Sequence, residues 1–293
     1  MPKVSFVVLN WNNFKDIKEC LESLEKITYP NYEVIVVDNG SKDGSTKKIQ
    51  EEFPQHIYIY NNDNLGCAGG YNVGMKYAFK RGADYIFPLN NDMIVDRNSL
   101  EPLVKAMEDE KTGIVGPATY CYPQKEKLHT AGELVDYWKG GVKELYLTKK
   151  GEVDCLSGSY LIRKEVIDKI GYFCELYFLN FEEGEYCIQT KKAGFKIVCE
   201  PKSKIWHKVG TTTNKIPAIC TYDFYRNKFL FMKRNAPLYL KYPFYLYGSL
   251  YLVLRCIEDL VKGDRARAIA IRNALVDFWQ GNLGKGDPIK KYD

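Results

Sequence analysis

Tyr85-Ile86-Phe87-Pro88-Leu89-Asn90-Asn91-Asp92 (YIFPLNND) is a mostly apolar run that ends on two amides and a carboxylate. Two physical readings fit that ending. Asn and Asp bond their own backbone and often terminate strands in turns. Hard oxygen donors at the end of a buried strand also suit a metal ion or a phosphate. What lies on either side of the stretch decides which fold carries it.

Upstream, residues 4–10 (VSFVVLN) are a short apolar run that suits a strand buried on both faces. Ile17, Cys20, Leu21, Leu24 and Ile27 follow at helical spacing, and residues 33–38 (EVIVVD) form a second buried strand ending in a carboxylate. A helix is expected over 45–53, a third strand over 57–60, and a glycine-rich turn leading into a helix near 70–81. Residues 84–89 are then the fourth strand. Pro88 removes a ladder donor there and marks a place where regular pairing should stop. Strands alternating with helices imply crossover connections and a mainly parallel sheet, so the expected class is α/β. In such sheets ligands bind beyond the carboxyl ends of the strands. Asn10, Asp38 and the Asn90–Asp92 cluster stand at those ends.

Downstream the pattern is less regular. A helix is expected over 164–170, a polar turn over 181–185, and a helix over 186–193 closed by Gly194. Beyond His207 the composition shifts to Tyr, Leu, Phe, Lys and Arg, which places a boundary near 215.

Composition bounds the function. A chain of 293 residues, 45% hydrophobic and 27% charged, is an ordinary globular sequence. Its formal charge of +5 is too mild to argue for nucleic acid, and fits a phosphorylated substrate or an anionic membrane surface. Nine cysteines without a CxxC pair or zinc-like spacing read as reduced and structural, and point to a cytoplasmic protein. No signal-peptide pattern opens the chain, and no stretch has the roughly 18 uninterrupted apolar residues of a spanning helix.

Residues 64–74 (NLGCAGGYNVG) crowd glycines ahead of a helix. They read either as a backbone cradle for phosphate or as a tight loop with helix-packing glycines. A dinucleotide-binding fingerprint fails at the first turn, because residues 10–14 (NWNNF) contain no glycine, and no P-loop is present. His207 reads either as a metal ligand or as a structural histidine. Glu182, Glu183 and Glu185 read either as chemistry or as a solvated helix start favoured by the helix dipole.

The order of the motifs is more specific than any one of them. SFVVLNWNN, VIVVDNGSKDGS, NLGCAGGYNVGM, LNNDMIVD, SGSYLIRKEVIDKIGYF, FEEGEYCIQTKKAGFKI and IWHKVGTT together resemble family 2 glycosyltransferases, most closely their rhamnosyltransferase-like branch. The resemblance covers roughly residues 3–214, with a looser match to about residue 285. It implies a GT-A fold: a Rossmann-like nucleotide-binding mixed sheet flanked by helices over 1–214, with a C-terminal helical extension over 215–293. It implies an inverting, metal-dependent transfer of a sugar from a nucleotide-diphospho-sugar, with dTDP-rhamnose the leading donor, to a glycan or lipid-linked acceptor. By motif match, Leu9, Asn10, Asp38 and Asn39 hold the nucleotide, and Asn64, Gly66, Gly69 and Asn72 line the donor site. Asn90-Asn91-Asp92 stands where the family carries its DxD motif. Asp92 and His207 are then the ligands of a divalent Mg²⁺ or Mn²⁺. Glu182-Glu183 matches the catalytic pair, with Glu183 as base.

Two departures bear on this assignment. Glu183 is one methylene longer than the family's aspartate, and Cys174 replaces an acid in Phe173-Cys174-Glu175. The alternatives are a UDP-hexose or UDP-N-acetylhexosamine transferase of the same family, or a catalytically silent nucleotide-sugar-binding member. Residues 237–257 (PLYLKYPFYLYGSLYLVLRCI), broken by Lys241, Pro243 and Gly248, suit either a helix in the lipid headgroup region or one packed on the core or a homodimer partner.

Overall fold

A computed structural model describes residues 1–208 and 216–289. The boundary at 214/215 lies outside the described residues, as does the VGTT end of the last motif. Strands β1 (Val4–Asn10), β2 (Tyr32–Asp38), β3 (Ile57–Tyr60) and β4 (Tyr85–Asn90) alternate with helices α1 (Phe14–Leu24), α2 (Ser45–Glu52) and α3 (Gly66–Lys80). They are followed by β5 (Met93–Val95), α4 (Leu100–Ala106), β6 (Thr112–Cys121), β7 (Leu128–Thr130), β8 (Glu133–Asp136), β9 (Gly141–Glu144), β10 (Gly151–Glu152) and β11 (Leu161–Arg163). Then come α5 (Lys164–Ile170), α6 (Glu182–Lys192), β12 (Lys196–His207), α7 (Pro217–Asn235), α8 (Leu238–Val261) and α9 (Arg265–Gln280).

The main sheet runs β10-β12-β6-β11-β4-β1-β2-β3. Strands β4, β1, β2 and β3 pair in parallel, as the βαβ alternation requires. Antiparallel β11 joins them to the parallel pair β6–β12, so the sheet is mixed. Pro88 lies within this sheet. Beyond Ile86 the pairing of β4 with β11 gives way to one isolated bridge between Leu89 and Ser159. Alternation divides the core. Phe6, Val8, Val34 and Val36 face α1 and α4, whereas Val7, Ile35 and Val37 face α3.

Two helix starts differ from the sequence reading. Helix α3 begins at Gly66, so most of the glycine run lies inside it. The reason is close packing. A Cβ at Gly74 would sit 2.3 Å from Val7 Cγ1 and 2.9 Å from Val37 Cγ2, and one at Gly70 would sit 2.5 Å from Leu9 Cδ1. These glycines let the helix lie down on β1 and β2, which offsets their cost in a helix, about 1 kcal/mol each. Helix α6 likewise begins at Glu182, and Phe181 precedes it in the left-handed region at φ 73°. The acidic cluster is therefore the first turn of a helix. It is not a solvated one, because Glu182 and Glu185 are buried.

Helix α8 runs unbroken through Pro243 and Gly248. Proline five residues in removes one backbone bond near the helix start, and Gly248 leaves room for Phe229, whose Cζ would lie 3.1 Å from an added Cβ. Phe229 packs against Phe244 and Phe278 at ring separations of 5.1 and 5.2 Å. Tyr177 and Ile188 belong to the same cluster, which ties the C-terminal helices to the α6 region. Among the described residues no helix is long and apolar enough to cross a membrane.

Candidate active site

Parallel register assembles the strand ends. Asn10 lies beside Asp38 and Leu9 beside Asn90. A cavity of about 710 Å³ opens over them, within the range of small-molecule sites. Leu9, Asn39, Asn64, Gly66, Asn90, Asn91, Asp92, Glu182, Glu183 and His207 all line it.

Asn10, Asp38, Gly69 and Asn72 are not among the residues lining it. Asn10 is fully buried, accepts from Asn91 Nδ2 at 2.8 Å, and donates to Thr46 Oγ1 at 2.9 Å. It therefore orients Asn91 and ties it to the start of α2. Asp38 caps its own turn, accepting from the Ser41 N–H at 2.9 Å. Gly69 lies in α3, where an added Cβ would meet Leu65. Asn72 binds Phe173 through both its amide oxygen and nitrogen, and donates to Glu175 Oε1 at 2.8 Å. That bond engages the glutamate of the Phe173-Cys174-Glu175 segment. Asn39 knits two loops: it donates to Asn64 Oδ1 and Gly66 O at 3.0 Å and accepts from the Leu65 N–H at 3.1 Å.

Antiparallel pairing of β5 with the end of β12 sets Met93 opposite His207. Asp92 Oδ2 and His207 Nε2 consequently stand 3.4 Å apart at the cavity wall. The chain anchors this corner from behind. The Lys208 N–H donates to Asp92 O at 3.0 Å, while Lys208 Nζ reaches Asp16 Oδ1 at 3.0 Å and Glu19 Oε2 at 2.7 Å on α1. A carboxylate oxygen and an imidazole nitrogen are a fitting partial shell for Mg²⁺ or Mn²⁺. Among the described residues no group of three or more His, Cys, Asp or Glu side chains is placed to hold a metal. The remaining positions of an ion here would fall to ligand oxygens and water.

In the same cavity lining, Glu183 Oε2 accepts from the Gly158 N–H at 2.9 Å. Burial pushes both Glu182 and Glu183 well above the ordinary carboxylate range, and the charge of each neighbouring acid (Glu183 on Glu182, Glu133 on Glu183) adds to it. A carboxylate so destabilised as an anion is a better proton acceptor than one in water.

The chain belongs to the glycosyl transferase family 2. The sequence model of that family matches residues 5–171, more than half the chain. The chain is 24% identical over 248 residues to the dTDP-rhamnosyl transferase RfbF of Shigella flexneri, covering 80% of this chain and 81% of that one. It is also 24% identical over 239 residues to the low-salt glycan biosynthesis hexosyltransferase Agl10 of Haloferax volcanii, covering 78% and 75%. Among solved structures it resembles the mannosyltransferase PcManGT from Pyrobaculum calidifontis in complex with GDP-Man and Mn²⁺. The TM-score is 0.62 at 15% identity, over 96% of this chain and 88% of that one. It also resembles GalNAc-T7 with UDP, GalNAc and Mn²⁺, with a TM-score of 0.61 at 17% identity, over 70% of this chain and 43% of that one. These likenesses place the chain in the GT-A fold, and it is a glycosyltransferase.

The sequence reading missed several cavity residues of this glycosyltransferase. Glu133 at the start of β8 is buried and accepts from Ser157 Oγ at 2.8 Å. His129 on β7 stacks edge-on to His207 at 6.4 Å. Lys139 lies between β8 and β9, and Lys228 lies on α7. The SGS run at 157–159 was a usable signal for the Ser157–Gly158 wall. Lys228 carried none, because nothing local says that a helix this late in the chain returns to the cavity.

Proposed function

We propose that the protein transfers a sugar from a nucleotide-diphospho-sugar to a hydroxyl of a glycan or lipid-linked acceptor, with inversion at the anomeric carbon. One observation carries this reading: the Asp92–His207 pair and the raised carboxylate of Glu183 line a single cavity at the ends of parallel strands. Asp92 and His207 would hold a divalent cation, Mg²⁺ or Mn²⁺. When bound, such an ion offsets the charge that grows on the departing nucleoside diphosphate.

The chain's own residues supply the rest. Asn39, Asn64 and Gly66 shape the nucleotide end, and Asn10 and Tyr71 fix Asn91 and Asn90 by hydrogen bonds. Glu183, held by the Gly158 N–H, takes the acceptor's proton as the hydroxyl attacks. With its extra methylene relative to the family's aspartate, the side chain reaches that N–H. Burial, with the charge of Glu133 adding to it, keeps its basicity high. The proton acceptor and the leaving group's ligands line the same cavity, so an acceptor hydroxyl and the donor could meet there; inversion is what the family resemblance implies.

dTDP-rhamnose is the favoured donor, supported by the 24% identical relative that carries that activity in its name. Donors in the UDP-hexose and UDP-N-acetylhexosamine classes are the alternative, and the same assay separates them. A silent member would have no use for a paired ligand set and a raised base in one cavity. A cytoplasmic setting is supported by nine free thiols. The test is a panel of nucleotide-sugars with and without Mn²⁺ or Mg²⁺, followed by release of nucleoside diphosphate. Turnover of one donor that requires the ion is expected. No turnover and no nucleotide binding by folded protein would overturn the reading.

A further inference from the structure

We infer that α8 docks in the plane of an anionic lipid bilayer, with its outward face inserted among the headgroups. At 1.5 Å per residue its 24 residues make a rod about 36 Å long. Leu240, Phe244, Gly248, Leu252 and Asp259 turn inward and are buried. The opposite face presents Tyr242, Leu246, Leu250, Leu254, Ile257 and Val261, each more than half exposed and Val261 84% exposed. At 100° per residue, all four charged residues of the helix, Lys241, Arg255, Glu258 and Asp259, fall away from the centre of that face. A soluble surface rarely leaves so long an apolar stripe uncovered. Tyrosines concentrate in its first half, and such side chains, apolar with a polar tip, favour the lipid interface.

Charge selects the occupant. Residues 1–215 carry 29 Lys and Arg against 30 Asp and Glu, whereas residues 216–293 carry 13 against 7. The whole positive excess of the chain therefore lies in the segment that contains the stripe. Lys262 and Arg265 are exposed just beyond its end. An anionic surface complements that distribution. A second copy of the chain would bring two cationic segments together across the same face.

The helix that carries the stripe also adjoins the site. Phe244 on the inward face of α8 packs against Gly140 of the cavity wall, where an added Cβ would lie 2.6 Å from Phe244 Cε2. Docking thus holds the cavity wall near the lipid surface. Resting on the transferase reading, this suits an acceptor carried on a lipid.

The full chain should be sedimented with sucrose-loaded vesicles of phosphatidylcholine alone and of phosphatidylcholine with phosphatidylglycerol, at low and high salt. Binding is expected to the anionic vesicles, weakened by salt. It should fall about tenfold or more in the Leu246→Glu/Leu254→Glu variant. Both positions are exposed and outside the cavity, so thermal unfolding and nucleoside-diphosphate binding should be unchanged, which separates this test from that of the transferase reading. A Lys262→Gln/Arg265→Gln variant should lose the preference for phosphatidylglycerol. Three results would overturn the inference. They are no vesicle binding by folded wild type, equal binding to both vesicle types, and light scattering that shows the glutamates splitting a wild-type dimer with vesicle binding intact.

Discussion

Replacing Glu183 by Gln should abolish turnover and stabilise the fold at the same time. The side chain keeps its size, and its carbonyl oxygen can still accept the Gly158 N–H that now lies 2.9 Å from Oε2. What is lost is the proton acceptor, a contribution of about 10²–10⁴ in rate or roughly 3–5 kcal/mol. What is gained follows from the pKa. Burial, with Glu133 adding to it, raises Glu183 above its ordinary 4.5, so the folded state binds a proton that the unfolded state has released. Stability contributed at this position therefore falls as pH rises from about 4.5 to the raised pKa, and the full penalty applies above it. Raising a carboxyl's pKa tenfold in proton affinity costs the folded anion about 1.4 kcal/mol. Part of the carboxylate faces the cavity, so a net gain of about 1 kcal/mol is expected for the Gln variant at alkaline pH, vanishing below pH about 4.5. The assays are nucleoside diphosphate release and urea unfolding of both proteins across pH. A Gln variant that turned over normally would refute the role as base. One less stable than wild type at alkaline pH would refute the electrostatic argument.

Other consequences can be measured alongside. Glu133→Gln removes an acid that raises Glu183, so the rise of kcat/KM with pH should move to lower pH without loss of the alkaline plateau. Lys208→Met leaves Asp16 and Glu19 without its ammonium; a loss of about 2–4 kcal/mol in unfolding free energy is expected, with weaker metal affinity because the Asp92–His207 corner loosens. Gly74→Ala forces a Cβ to within 2.3 Å of Val7 Cγ1 and should cost about 1–3 kcal/mol in unfolding free energy. Chelation of divalent ions should stop turnover and leave the melting temperature almost unchanged, since Lys208 and strand pairing hold the corner without an ion.

The parallel half of the fold was legible because its strands are uninterrupted apolar runs, and their polar ends name the site edge by rule. Asp92, His207 and Glu183 were reached through motif order, and all three line the cavity. The starts of α3 and α6 were not legible, and for different reasons. Gly66 and Gly69 read locally as a turn before the helix, yet both lie in α3, whose close approach to β1 and β2 at Gly70 and Gly74 is a packing demand that no local propensity contains. Glu182 and Glu183 read as a polar turn because their burial depends on chain segments far away, including Gly158. Asn10 and Asn72 show the opposite limit. Motif match implied ligand contact, and the structure engages both in internal bonds that position their neighbours. Glu133 and Lys228 come from a hairpin and a helix that only the tertiary fold brings to the cavity.

The measurement that bears most directly on the central claim is calorimetric titration of a nucleotide-sugar donor, with and without Mn²⁺, into wild type, Asp92→Ala and His207→Ala. Donor binding that requires the ion in wild type and is lost or weakened at least tenfold in both variants is the expected result. Equal donor affinity in all three proteins, with or without the ion, would contradict the assignment of this corner as the diphosphate and metal site.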